Sequence, residues 1–180
     1  MARWTFNEAH TAAEFCVRHM MITFVRGTFK NLSGTLEFDP EHPEAGWVEV
    51  SIDASTLWSG EPERDEHLRS EDFLDVAGHP RIVFRSTSVT PVARDEYRVT
   101  GDLSIRGVTR PVTLDVSYVG QCRSPFDDIR AGFVATTRIN RHDFGVSWNA
   151  DLRDAGFVVG DDVLITIDLE AERPDDTPAA

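Results

Sequence analysis

The stretch YRVTGDLSIRGVTRPVTLDVSY, Tyr97 to Tyr118, alternates apolar and polar side chains on either side of Gly107. Tyr97, Val99, Leu103 and Ile105 fall on one side, and Arg98, Thr100, Asp102, Ser104 and Arg106 on the other. After Gly107 the alternation resumes. Val112, Leu114, Val116 and Tyr118 oppose Pro111, Thr113, Asp115 and Ser117. A period of two belongs to a β-strand, whose successive side chains leave on opposite faces. The glycine lets the chain turn and run back beside itself. The result is antiparallel pairing with one apolar and one wet face.

The same period recurs outward from this stretch. Val48, Val50 and Ile52 alternate within Trp47–Asp53, and Val163, Ile165, Ile167 and Leu169 share one face. Noisier strands carry Phe15, Val17 and His19; Leu36 and Phe38; Ile82 and Phe84; and Phe133, Ala135, Thr137 and Ile139. Phe24 through Asp39 reads as a bent ribbon or a tight hairpin, with Gly27 and Gly34 as its bends. One segment has no alternation. Glu61 to Asp72 begins with Pro62 and several carboxylates, as a helix N-terminus does. It predicts a short helix around residues 61–72 that turns Leu68 inward, followed by Phe73 and Leu74 as an apolar plug.

About eight antiparallel strands must close or form a sandwich to remove their edges. The expectation is an all-β, antiparallel eight-stranded β-barrel with one short helix. Such a barrel is either filled by its own side chains or leaves room for one small ligand. The chain has 180 residues, which suits one domain, here residues 1–172, with a polar tail over 173–180. Eleven Phe and four Trp supply flat, rigid lining. The formal net charge of −13 argues against nucleic acid and anionic membrane surfaces as partners. No apolar run approaches the length of a membrane-spanning helix, and no signal peptide is read at the N-terminus, so a cytoplasmic location is expected. Cys16 and Cys122 stand far apart and are expected as buried free thiols.

Reactive chemistry finds little support. His10, His19, His67 and His79 have no metal-ligand spacing, and no GxSxG or phosphate-cradling glycine loop occurs. No catalytic residue, metal or cofactor is expected. His19 shares a face with Phe15 and Val17, which places it near the polar end of a ligand or in a hydrogen bond to backbone. Arg69 and Arg141 are head-group candidates at a barrel mouth, because arginine pairs well with phosphate oxygens; a structural ion pair is the competing reading. Asn140-Arg141-His142-Asp143 reads as a turn with Asp143 accepting backbone bonds. Phe15, Val17, Phe24, Phe29, Phe73, Phe84, Phe133, Phe144 and Trp148 are expected to line or close a pocket. Two rivals stand beside the carrier reading. One is an enzyme or scavenger using His19 or His67 as base; the other is an interaction barrel with a packed core.

Many short segments together resemble the YceI-like, polyisoprenoid-binding family. They include Phe6-Asn7-Glu8-Ala9-His10-Thr11, Phe15-Cys16-Val17-Arg18-His19 and Val25-Arg26-Gly27-Thr28-Phe29. Further on come Arg64 to Asp75, His79 to Thr87, Val99 to Val112, Ile139 to Gly145 and Val159-Gly160-Asp161. The resemblance implies a lipocalin-like barrel with an isoprenoid chain along its interior: a polyisoprenoid, a polyprenyl phosphate or a quinone with an isoprenoid tail. It also implies a bacterial source and a homodimer. Two positions depart from the family's pattern. Asn7 stands where the family has Asp, removing a charge, and Thr11 stands where it has Ser, keeping the hydroxyl.

Overall fold

The computed structural model describes residues 1–153 and 156–174. Its strands are β1 (Ala2–Phe6), β2 (Ala12–His19), β3 (Thr23–Phe29), β4 (Leu32–Phe38), β5 (Trp47–Asp53), β6 (Arg81–Ala93), β7 (Glu96–Ile105), β8 (Val108–Arg123), β9 (Asp128–Asn140) and β10 (Val159–Pro174). One helix, α1 (Pro62–Arg69), lies between β5 and β6. The ring runs β1-β4-β5-β6-β7-β8-β9-β10 and closes by pairing β1 with β10. It is a closed eight-stranded antiparallel barrel, as expected.

The remaining two strands are continuations. β10 is long enough to pair with β1 near its end (Phe6↔Ala171) and with β2 earlier (Ala12↔Asp168). Between those registers the five residues Asn7 to Thr11 face only Leu169 and Glu170, so the excess coils into a 3-10 turn over Glu8–His10. Asn7 and Thr11, the two positions that depart from the family's pattern, hold this kink. Asn7 Nδ2 donates to Glu172 at 2.8 Å, and the buried Thr11 hydroxyl donates to the Glu170 carbonyl at 3.3 Å. β3 and β4 are separated by Lys30 and Asn31, and Asn31 takes the left-handed conformation (φ 55°). The expected ribbon therefore breaks at Asn31, not at Gly27 or Gly34. Asn tolerates that conformation because its short polar side chain bonds locally.

The hairpin read from the sequence forms as written. Ile105 pairs with Val108 across Arg106 and Gly107, both at positive φ. Along β7 the inward residues Tyr97, Val99, Gly101, Leu103 and Ile105 are all buried. Gly101 is small for a reason. A Cβ there would sit 2.3 Å from the Arg85 carbonyl oxygen and 2.6 Å from the Phe84 ring. β6 carries the compensating register shift, between Ser86 and Ser88.

Several details differ from expectation. α1 ends at Arg69, and Ser70 to Asp72 continue as turns. β10 extends through Pro174, so Arg173 and Pro174 pair with Ile129 and Asp128 instead of starting a tail. Residues 175–180 of that tail lie outside the described residues. Both thiols are free, but Cys16 is half-buried and Cys122 exposed. In the turn after β9 the accepting side chain is that of Asn140, which takes the His142 N–H at 2.9 Å.

The barrel ends differ. At one end β1 closes the ring, and Phe38 packs against Tyr97, Tyr118 and Phe133 at centroid distances of 5.0–5.7 Å. At the other, β3 pairs with β2 along one edge and meets the opposite side through the Thr28–Trp58 bridge and, just past its end, through Lys30 and Thr56. The chain from Ala54 to Pro80, with α1, fills that gap.

Candidate binding cavity

The inward faces of β2, β3, β5, β6, β7, β8, β9 and β10 surround a cavity of about 330 Å³. Its wall is carbon: Phe15 and Val17 from β2, Ile52 from β5, Ile82 and Phe84 from β6, Leu103 and Ile105 from β7, and Val163, Ile165 and Ile167 from β10. These are the inward positions of the period-two pattern, so the wall follows directly from the alternation. Leu68, Phe73 and Leu74 cover it from the helical segment, as the sequence predicted.

A second space of about 100 Å³ lies toward the aromatic end, among Phe6, Leu36, Phe38, Tyr97, Phe133 and Leu169. Val50, Phe84, Leu114 and Ile167 border both spaces. These four side chains, from β5, β6, β8 and β10, form a waist. Burial raises the hydroxyl pKa of both Tyr97 and Tyr118 at the far end, and the nearby Asp95 carboxylate adds to it.

Polar groups gather at the helical end. His19 reaches the cavity from β2, Arg64 and His67 from α1, and Arg141 from the turn after β9. Arg64, His67 and Leu68 stand at i, i+3 and i+4, one face of a helix. Arg64 is oriented by Ser59, donating from Nε to its hydroxyl and from Nη2 to its carbonyl, each at 2.7 Å. His67 Nε2 meets Asp72 Oδ2 at 2.8 Å. Its ring packs edge-on against Phe73 and Trp148 at 5.0 and 4.7 Å.

Of the predicted pocket residues, Phe15, Val17, His19, Phe29, Phe73, Phe84, Phe144 and Trp148 line the main cavity, and Phe133 lines the smaller one. Phe24 does not belong to either. It points outward, half exposed, with the Arg18 guanidinium 4.8 Å from its ring. The reason is parity. Val25, Gly27 and Phe29 face inward, so Phe24 shares the outer face with Arg26 and Thr28.

Both arginines proposed for a head group are committed elsewhere. Arg69 lies off the cavity and donates to the carbonyls of Ser55 and Leu57. Arg141 is buried and donates to the carbonyls of Gly160, Val146, Trp148 and Val159 at 2.8–3.2 Å. Backbone carbonyls, rather than the carboxylates of an ion pair, hold them. Arg64 is the mouth arginine that sequence reasoning missed. Its position one turn before the inward Leu68 was the available signal. Among the described residues no His, Cys, Asp or Glu cluster is arranged to hold a metal ion, and no helix is long and apolar enough to cross a membrane.

The comparisons agree with this architecture. A UPF0312 protein of Pseudomonas putida is 40% identical over 137 residues, covering 76% of this chain and 71% of the relative. BcnA of Burkholderia cenocepacia shares the fold at a TM-score of 0.81 and 24% identity, covering 92% of this chain and 98% of that one. A polyisoprenoid binding domain from Saccharophagus degradans does so at 0.68 and 16%, covering 95% and 98%. Residues 4–171 match the YceI-like domain, and the chain belongs to that family.

Proposed function

We propose that this barrel binds the apolar chain of a lipid, a polyisoprenoid before others, with the chain in the main cavity and the polar end at His19, Arg64 and His67. The observation that carries the reading is the cavity itself, about 330 Å³ with a wall of aliphatic and ring carbon. A flexible hydrocarbon gains roughly 25 cal/mol per Å² on leaving water and needs no directional partner. Such a wall offers little to a polar substrate and much to a greasy tail. Holding suits it better than conversion, because the wall along the chain carries few groups able to move a proton. The likeness to the polyisoprenoid binding domain of S. degradans supports the choice of chain.

Native mass spectrometry of protein purified from its own cell, followed by lipid extraction, tests the proposal. The expected result is a bound mass that extracts as an isoprenoid lipid. Repeated preparations that carry no lipid and take up no added prenyl lipid would overturn it.

A further inference from the structure

The charge of this chain is unevenly spread. Residues 15–36 contain Arg18, Arg26 and Lys30 and no Asp or Glu, in a protein of net charge −13. That stretch is the β2–β3 hairpin with the start of β4. Its tip, Met20-Met21-Ile22, is exposed, Ile22 to 82%, and Phe24 stands beside it on the outer face. The turn is built at a cost. Ile22 N–H donates to the His19 carbonyl across two residues at φ 50° and 64°, and both are Met. A two-residue turn with positive φ at both central positions favours Asn-Gly, because a side chain in the left-handed region costs about 1–2 kcal/mol. Met21 turns its sulfur toward Gly156, yet both methionines stay about half exposed, in a turn that neither residue type favours.

The tip also stands at the cavity mouth. His19 and Val17 line the cavity, and Met20 N–H bonds the carbonyl of Val158, another lining residue. The two carboxylates just beyond on β10, Asp161 and Asp162, are engaged by His142 and Arg138.

We infer that the β2–β3 tip docks on an anionic lipid surface, inserting Met20, Met21 and Ile22 beneath the head groups while Arg18 and Arg26, the basic side chains nearest the tip, lie against them. Screening over about 8 Å at physiological salt makes the charge of the hairpin that touches the surface count more than the net charge of the chain. A second copy of the chain fits the patch poorly. A two-fold pairing sets a patch against itself, and here that would oppose basic side chains with no carboxylate between Glu14 and Glu37 to neutralise them. The inference rests on the lipid-binding proposal, since the docked mouth faces the membrane in which an isoprenoid chain resides.

Flotation with vesicles of phosphatidylcholine, with and without phosphatidylglycerol, is the test. The parent protein is expected to float with the phosphatidylglycerol vesicles and to detach at high salt. The double variant Met20→Asn/Met21→Gly, which supplies the favoured turn, is expected to melt no lower than the parent yet to partition about tenfold less or weaker. Arg26→Glu is expected to weaken the preference for phosphatidylglycerol at least threefold. A parent that stays unbound with both vesicle types, or a turn variant that floats equally well, would overturn the inference. So would a parent dimer that the turn variant dissolves while vesicle binding is unchanged. Uptake of farnesol without vesicles separates the two ideas. Farnesol binding with no flotation sinks the docking alone. Flotation with no farnesol binding sinks the lipid cavity and leaves the docking standing.

Discussion

Phe84→Ala probes the waist between the two spaces. The Phe84 ring is buried and borders both of them, and its far edge lies where Gly101 leaves room for it. Truncating a well-packed phenylalanine usually costs about 3–5 kcal/mol, from lost transfer energy plus the cavity left behind. Here the ring already meets empty space toward the main cavity and toward the smaller one, so fewer contacts are lost. The expected cost is about 2–3 kcal/mol, a fall in Tm of roughly 4–12 °C for a domain of this size. The functional effect runs the other way. Removing the ring joins 330 Å³ and 100 Å³ into one longer apolar space reaching Phe38 and Phe133. Binding of prenyl alcohols of increasing length, followed by tryptophan fluorescence alongside urea unfolding, measures both. The parent is expected to gain affinity per isoprene unit up to a limit, and Phe84→Ala to move that limit to longer chains. A variant that loses stability at the full core cost with an unchanged length limit would refute the reasoning. Phe84 would then be packing, not a partition.

Two further predictions come from charged groups. Arg141→Met removes donors from four backbone carbonyls, two at the start of β10 and two in the segment from Val146 to Trp148. The expected loss is about 3–5 kcal/mol in urea unfolding, with Arg141→Lys failing to restore it because a point ammonium cannot span that spread. The Asp128 carboxyl is held below its ordinary value of 3.8, chiefly by hydrogen bonds from Arg130 and then from Ser124, with the Arg130 charge adding to them. A lowered native pKa gives stability that is present above the unfolded value and lost as pH falls through the native one. Asp128→Asn is therefore expected to be less stable than the parent at neutral pH, with the two unfolding midpoints converging as the pH drops below 3.8. A gap that persists undiminished in acid would refute this.

The barrel was legible because most of its strands keep period two, and burying one face leaves no choice of register. The wall was legible for the same reason. Ile105, Leu114, Val163 and Ile167 stand on faces that the sequence alone marks as apolar. What failed was local. Phe24 is aromatic like its pocket neighbours, but its spacing of five from Phe29 forbids a shared face in an unbroken strand. The break at Asn31 was hidden because glycines nearby offered a cheaper explanation for a bend. Here Gly27 and Gly34 are small for lack of space. A Cβ at Gly27 would meet the Phe15 ring, and one at Gly34 the Glu49 carbonyl. Sequence reports that a residue is small, not which neighbour requires it.

Arg141 shows why charged residues near an apolar cavity are hard to assign from sequence. Its guanidinium offers five donors in a plane, and four carbonyls of the chain around the mouth take up most of them. Burial pulls its pKa below the ordinary arginine value, with the Asp161 carboxylate acting against that pull. The donors are spent on the frame, so no hydrogen-bonding demand is passed to whatever sits inside. Arg64 is tied differently. Two of its donors go to Ser59, and it stands half-buried in the lining of the same cavity. One arginine fixes the shape of the opening and the other remains able to meet a phosphate or hydroxyl there. Both keep positive charge at the same end. The interior beyond them is apolar, which in the proposed binding mode favours an amphiphile with its charge outward at α1 and its tail toward Phe84.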